Sequence, residues 1–169
     1  MAKGKILITN STPEVTQIDI EGVIGVPEQW QFDEPGERVA TYEKFRTEGD
    51  SIADVRTPEV VVKIRSTGGN VNDALLIYEA PTALDATVTT RCFGYVASAA
   101  TIIAQAAAEG RREISSNSLY LIHRSVCSAE GNTGELKRSV EMLEQTDGRI
   151  AGVYAARSGK PAADFARLM

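Results

Sequence analysis

Three groups of residues in this chain have the chemistry of an acyl-transfer site. Ser98 lies where an apolar strand gives way to an alanine-rich helix, and His123 is the only histidine in the sequence. Gly68 and Gly69 follow a β-branched run at 60–64. A serine hydroxyl can attack a carbonyl, and a histidine can take its proton. Backbone N–H groups can then hold the oxyanion that the attack creates.

Each group also has an ordinary structural interpretation. Ser98 fits a helix N-cap, His123 a histidine held by backbone bonds at a strand end, and the glycine pair a tight turn. Their order along the chain favours chemistry, because each follows a predicted strand. In a parallel sheet such strand exits meet at one edge. We therefore predict an oxyanion hole made by the N–H groups of Gly69 and of Ala99, the residue after the nucleophile.

Alternation of strand and helix patterns predicts an α/β fold with a mostly parallel sheet and right-handed crossovers. Predicted strands cover 15–24, 60–64, 87–93, part of 110–115 and 119–123, with a turn at 66–70. Predicted helices cover 38–48, the stretch from Val71 to Pro81, the alanine-rich stretch from Ser98, 135–157, and a last one from Pro161. This last helix has no stop signal, so we expect the natural chain to continue.

Composition predicts one domain over residues 1–169, with 43% hydrophobic and 24% charged residues. No apolar run is long enough to span a membrane, and no secretory signal is recognisable, so a cytoplasmic location is expected. One histidine and two cysteines exclude a zinc site of the usual type, and no P-loop occurs. We expect neither a metal nor a cofactor.

The net charge of −5 argues against nucleic acid as a partner. The whole excess lies in an insertion-like segment, 26–59, which has nine acidic and four basic residues and four aromatic ones. This segment is either a contact surface or a solvated helix with aromatic residues beneath it.

Three stretches carry a family resemblance: IRSTGGNVNDALLIYEA at 64–80, TTRCFGYVASAA at 89–100 and LYLIHRS at 119–125. Together they resemble the proteolytic subunit of Clp protease (ClpP), over roughly residues 60–160. The resemblance implies a ClpP/crotonase-like βαβ spiral with a long protruding helix. It makes Ser98 the nucleophile and His123 the base of a serine endopeptidase.

The same resemblance assigns substrate and partners. Gly69 and Ala99 become the oxyanion hole, while Gly68, Asn70 and Val71 on one side and Arg124 and Ser125 on the other flank an extended polypeptide by strand addition. The helix at 135–157 resembles the helix through which two rings of the family stack. A homo-oligomeric chamber is therefore implied, either a heptameric ring or two stacked rings.

The chain also departs from the family pattern. Thr67 replaces a proline, Pro81 interrupts a helix, and the acidic segment is extra. This combination is more similar to the ClpP-like proteases of phage and prophage head maturation, and it makes an AAA+ unfoldase a weaker candidate partner. By the resemblance the triad aspartate falls just past Met169, which predicts weak or no activity for residues 1–169. Asp147 and Asp164 match no family motif and receive no role.

Three alternatives stay open at this point. A crotonase-type acyl-CoA enzyme has a similar spiral and oxyanion hole and needs no serine nucleophile. A non-catalytic scaffold could keep the fold without turnover. A Ser-Lys dyad, as in signal-peptide peptidases, would not need His123.

Overall fold

The computed structural model describes residues 5–25 and 57–169, which form parts of two compact units, 1–121 and 122–169. Most of the acidic segment, and with it the predicted helix at 38–48, lies outside the described residues. The prediction of a single domain stays a prediction, and each unit is described below by itself.

The described part of the first unit is built on a six-stranded sheet. The strands are β1 Lys5–Thr12, β2 Val15–Ile24, β3 Glu59–Gly69, β4 Thr87–Ala97, β5 Arg112–Ile114 and β6 Leu119–Leu121. Their order is β1-β2-β3-β4-β5, and β6 also pairs with β4. Only β1 and β2 are antiparallel, since all other pairs are parallel. The predicted mostly parallel α/β sheet is confirmed.

Two helices complete the described part of this unit: α1 Val71–Thr82 and α2 Ala100–Ile103, the latter continued by a 3-10 turn, Ala104–Ala106. Alternate residues of β3 are buried, as expected for a strand that presents one face to a core. The core consists of apolar residues of the sheet and both helices, with its largest fully buried members at Ile18, Ile20, Ile24, Val60, Val62, Ile64, Ile77, Val96, Ile102 and Ile103.

Four elements of this unit differ from the predictions. β1 was not predicted, and β3 and β4 run further than expected, because β3 pairs with β2 as far as Gly69. The alanine-rich helix is far shorter than its composition suggests. The carbonyl of Ala104 accepts from the Thr90 hydroxyl at 2.8 Å, and the N–H of Ala108 donates to the carbonyl of Val88 at 2.9 Å. The bond that would continue the helix between 104 and 108 is therefore replaced by bonds to β4.

Irregularities in β3 and β4 lie just before the predicted site. Thr67 is an extra residue on β3, between the pairs that join Ser66 and Gly68 to β2. On β4, residues 93–95 bulge between the pairs to Ile64 and Ser66 of β3. Before this bulge β4 pairs with β5, and from Tyr95 onwards it pairs with β6. A bulge bends its strand and increases its twist. It therefore changes the direction of the last residues of β4, which lead directly into Ser98.

The second unit consists of a polar segment and two helices, α3 Thr133–Ser158 and α4 Ala162–Leu168. The predicted long helix is confirmed. Asn132 and Glu135 form a capping box at its start, and Gly159 ends it in the left-handed conformation, with φ 71°. Tyr154 and Phe165 pack with ring centroids 5.5 Å apart, which joins the two helices.

Candidate active site

The backbone at Ser98 is strained. Ser98 lies between the end of β4 and the start of α2 and has φ 55°, the only positive value at a non-glycine residue in the described parts of the chain. This conformation costs a residue with a side chain about 1–2 kcal/mol. A serine on a strained turn between a strand and a helix is a known position for a nucleophile, because the turn exposes its hydroxyl.

The N-cap interpretation of Ser98 is wrong. The cap position of α2 is Ala99, which makes no side-chain capping bond. The main chain of Ser98 is instead held on both sides. Its N–H donates to the carbonyl of Leu121 at 2.9 Å, and its carbonyl accepts from the N–H of Thr101 at 2.9 Å and from the Thr101 hydroxyl at 2.5 Å. These bonds fix the strained turn and leave the half-buried Ser98 side chain for another role.

A network of side chains that the sequence did not indicate supports this turn from beneath. The Tyr120 hydroxyl donates to the carbonyl of Thr101 at 3.2 Å and accepts from the Gln105 amide at 3.0 Å. The Arg112 guanidinium donates to the Gln105 side-chain oxygen at 2.9 Å. Residues of β5, β6 and the helical turn are thus tied to Thr101, which in turn holds the carbonyl of Ser98.

Gly68 lies directly against Ser98. It has φ 85°, and a Cβ placed on it would lie 2.6 Å from both the carbonyl oxygen of Ala97 and the Cβ of Ser98. The same Cβ would lie 2.8 Å from the nitrogen of Ala99. Only glycine fits this position, since both the conformation and the space exclude a side chain. The predicted convergence of the β3 and β4 exits is therefore present in the structure.

Gly69 also requires glycine, for a different reason. Its φ is 147°, and a Cβ there would collide with the carbonyl oxygen of Ile24 at the end of β2. The next residue, Asn70, donates its N–H to that same carbonyl at 2.9 Å. The Asn70 side chain then caps α1, accepting from the N–H groups of Asn72 and Asp73 at 2.9 and 3.1 Å. Gly69 and Asn70 are exposed, whereas Gly68 is buried.

The N–H of Ala99 has no acceptor among the residues that the structure describes. Within residues 5–25 and 57–169 it makes no hydrogen bond, although Ala99 is only 2% exposed. Buried N–H groups are almost always hydrogen-bonded, so an unpaired one beside a strained serine is unusual.

His123 belongs to the second unit, where its ring contacts the chain that follows it. Its Nδ1 lies 2.5 Å from the carbonyl oxygen of Arg124. A carbonyl can only accept, so Nδ1 carries the proton, and Nε2 is left with a lone pair. This is the tautomer that a general base requires, since Nε2 can take a proton from a hydroxyl.

Two further predicted residues, Arg124 and Ser125, lie in the second unit with His123. The Arg124 guanidinium reaches the carbonyl of Ala166 in α4 at 3.4 Å. Ser125 is bound by Asp147 of α3, whose carboxylate accepts from the Ser125 N–H at 2.7 Å and from its hydroxyl at 2.6 Å. The structure thus brings Gly68, Ser98 and Ala99 together in one unit, and His123, Arg124 and Ser125 in the other.

The comparisons with known proteins fit this geometry. A family model described as Clp protease matches residues 53–169. The chain belongs to the Clp protease family. It is 33% identical over 113 residues to the ATP-dependent Clp protease proteolytic subunit of Leuconostoc citreum, covering 66% of this chain and 56% of that protein.

Other members of the Clp protease family match in the same way. The proteolytic subunit of Ligilactobacillus salivarius is 31% identical over 102 residues, covering 60% of this chain and 52% of the relative. That of Oltmannsiellopsis viridis is 27% identical over 109 residues, covering 64% and 56%. The chain spans about half the length of the curated relatives it matches.

The residues that the structure describes hold neither a metal-ligand cluster nor a membrane-spanning helix. Residues 5–25 and 57–169 contain no group of three or more His, Cys, Asp and Glu residues that could hold a metal. No helix among the described elements has the length and apolar character to cross a bilayer. A cavity of about 470 Å³, lined by residues of β4, β5 and β6 and of the 3-10 turn, does not include Ser98.

Proposed function

We propose that this chain is a serine-type endopeptidase in which Ser98 attacks the carbonyl carbon of a peptide bond. The observation that carries the proposal is the strained Ser98 turn, which lies against Gly68 and is followed by the N–H of Ala99, unpaired within the part of the chain that the structure describes. Strained residues cluster at active sites and ligand clamps, and unpaired buried N–H groups are rare, so the two together support a catalytic role.

His123 is the general base of the proposed reaction. Its Nε2 takes the Ser98 proton as the hydroxyl oxygen bonds to the carbonyl carbon, and it returns the proton to the leaving amine. Chain connectivity supports the pairing. The Ser98 N–H is bound to the carbonyl of Leu121. His123 follows Leu121 by two residues, so the Cα atoms of Leu121 and His123 are at most ~7 Å apart.

The oxyanion is held by the N–H groups of Gly69 and Ala99. The Ala99 N–H is unpaired within the described residues, and it begins a helix whose first amides carry partial positive charge. Gly69 lies on the exposed side of the β3 exit, where a substrate can reach it. The resulting acyl-enzyme is hydrolysed by water, which His123 activates in the second half of the cycle.

The substrate is an extended polypeptide that runs between Gly68, Asn70 and Val71 and the segment of Arg124 and Ser125. The chemistry supports strand addition, since the end of β3 presents exposed backbone at Gly69 and Asn70. Among polypeptides we favour a capsid protein cleaved during phage head maturation, within the cytoplasm. An AAA+ unfoldase is a weaker candidate partner.

The active form is a homo-oligomeric ring or pair of rings. Support comes from apolar side chains in the first half of α3, where Leu136, Val140 and Met142 are exposed. Exposed apolar groups of this kind usually mark an interface. Native mass spectrometry tests this, and a monomer at micromolar concentration contradicts it.

Covalent labelling tests the reaction class. A fluorophosphonate should label Ser98, and the tryptic peptide that contains it should carry the phosphonate. Labelling is lost in Ser98→Ala and slowed roughly 10³-fold or more in His123→Ala. Ser128→Ala is the matched control, since Ser128 is an exposed serine outside the site and its loss should change nothing.

The same experiment separates the alternatives. Labelling that survives His123→Ala favours a Ser-Lys dyad. Binding of a CoA thioester without any labelling favours a crotonase-type enzyme. Labelling and peptide cleavage that are both absent, also in a chain that includes the expected triad aspartate, favour a scaffold, and each of these outcomes overturns the proposal.

A further inference from the structure

One peptide group in the second unit is held from both ends. The carbonyl of Arg124 accepts from Nδ1 of His123 at 2.5 Å, and the N–H of Ser125 donates to the Asp147 carboxylate at 2.7 Å. This carbonyl and this N–H belong to the same peptide unit. A carboxylate on α3 and the imidazole are therefore joined through a single rigid plane.

We propose that Asp147 is a positioning residue for His123 and acts on the imidazole through the Arg124–Ser125 peptide group. The inference rests on the proposed function, in which His123 is the base. It assigns a role to a carboxylate that matches no motif of the sequence.

The geometric part of the effect follows from planarity. In a trans peptide the N–H and C=O point in opposite directions within one plane. When Asp147 holds the N–H of Ser125, the carbonyl of Arg124 can no longer turn away from the ring. The Nδ1–H of His123 then keeps its acceptor, and Nε2 keeps its lone pair for Ser98.

The electrostatic part follows from polarisation. A negative charge on the N–H side of a peptide makes its carbonyl oxygen a stronger acceptor, and linked hydrogen bonds strengthen one another by ~10–30%. Bonds to a charged acceptor are also the stronger kind. Asp147 thereby favours the tautomer with a proton on Nδ1 without touching the ring.

The Ser125 hydroxyl helps to orient the Asp147 carboxylate. It donates to the same Asp147 oxygen at 2.6 Å, while its distance to the carbonyl of Leu143 is 3.4 Å. The carboxylate comes from the interior of a long helix, which makes it a firm anchor. The segment after Ser125 has little other support, since Val126 is 82% exposed and the residues up to the start of α3 are exposed as well.

Nuclear magnetic resonance tests this inference directly, because the chain has one histidine. In protein labelled with ¹⁵N-histidine, the ring nitrogen shifts report the tautomer of His123 alone, at a pH where the ring is neutral. The unaltered protein should show the Nδ1–H form. Asp147→Ala should shift the ring towards Nε2–H, and Asp147→Asn should lie between the two, because an amide oxygen still accepts.

Two variants make the route specific. Ser125→Ala keeps the peptide N–H and removes only the hydroxyl, so it should keep most of the Nδ1–H form. Glu144→Ala removes a carboxylate one turn earlier on the same helix and should change nothing. Circular dichroism checks that α3 is intact in every variant.

Kinetics supply a second readout. Asp147→Ala should lower kcat for a fluorogenic peptide by about tenfold to a hundredfold with KM little changed, by analogy with the outer partners of metal-bound histidines. An unchanged tautomer in Asp147→Ala overturns the inference, as does a Ser125→Ala effect as large as that of Asp147→Ala. A tautomer shift with no peptidase activity in any variant supports the positioning role and defeats only the proposed function.

Discussion

The turn that holds Ser98 and the segment that holds His123 are built by different means. The Ser98 turn is fixed by main-chain bonds on both sides and by the close approach of Gly68. The His123 segment is held by a few polar contacts, chiefly those of one peptide group and the Asp147 carboxylate. The first region is thus determined by backbone packing, and the second by side-chain hydrogen bonds at a partly exposed surface.

This difference predicts how each region responds to substitution. Backbone packing leaves no room for adjustment, so changes near Ser98 should lower the free energy of unfolding together with activity. Hydrogen bonds at an exposed surface each contribute little to stability. Changes near His123 should therefore lower activity while the protein stays folded.

The largest expected effect is that of Gly68→Ala. The new methyl group would meet the Ala97 carbonyl and the Ser98 Cβ at 2.6 Å in a conformation with φ 85°, so we expect a loss of about 3–4 kcal/mol in the free energy of unfolding. Urea denaturation measures it.

Gly159→Ala is the matched control in the second unit for that substitution. Gly159 has a similar φ of 71°, but a methyl group there meets nothing within 4 Å. Only the conformational cost of about 1 kcal/mol remains. Equal losses at Gly68 and Gly159 would contradict the claim that backbone contact determines the Ser98 turn.

A second prediction isolates the strain at Ser98. Ser98→Gly and Ser98→Ala both remove the hydroxyl and should both abolish fluorophosphonate labelling. Because φ is 55° at this position, the glycine variant should be the more stable of the two by about 1 kcal/mol. In an unstrained turn alanine would be the more stable, so thermal unfolding of the two variants decides the point.

A third prediction compares two helix caps. Asn70 caps α1 beside the Gly69 exit, and Asn132 caps α3 in the second unit. Each change to alanine should cost about 1 kcal/mol of stability. Only Asn70→Ala should also raise KM for a peptide substrate, because Asn70 adjoins the proposed oxyanion donor. Equal effects on KM would mean that the exit of β3 does not bind substrate.

The same contrast explains how much the sequence could reveal. The mostly parallel sheet and the long helix follow from local patterns, and they are confirmed. The length of the alanine-rich helix cannot be predicted from local patterns. The helix ends early because the Ala104 carbonyl accepts a hydrogen bond from the hydroxyl of Thr90, which lies 14 residues earlier in the chain. The helix propensity of the alanines is overridden by this bond to β4, which forms only in the folded sheet.

In the candidate site, too, some features can be predicted from the sequence and others cannot. Paired glycines and a serine after a strand can be recognised in the sequence, so Gly68 and Ser98 were predicted to converge, and they do. The strain at Ser98 contradicts residue preference and has no signature. The bond between Asp147 and Ser125 joins positions 22 apart on a loop and a helix, and no spacing rule connects them. Contacts of this kind appear only when the elements have packed.

The smallest expected effect concerns the reactivity of the two cysteines, one in each unit. Cys92 is buried in β4, where desolvation raises the pKa of its thiol to about 11, and Cys127 is exposed on the segment after His123. Maleimide at neutral pH reacts with thiolate, so the folded protein should take up one equivalent quickly and a second only when unfolded. Mass spectrometry of the labelled peptides identifies the site, and rapid labelling of Cys92 would contradict the close packing of the first unit.

The raised pKa of Cys92 also predicts a dependence of stability on pH. The folded state holds this proton more tightly than the unfolded state, whose pKa is near the ordinary 9.0. The contribution to stability is therefore complete below pH 9 and is lost as the pH rises from 9 towards 11. Cys92→Ala should flatten this decline relative to the unaltered protein, whereas Cys127→Ala should leave its slope unchanged. An identical slope in all three proteins would mean that the thiol of β4 is solvated, and that the core beneath the Ser98 turn is looser than its burial indicates.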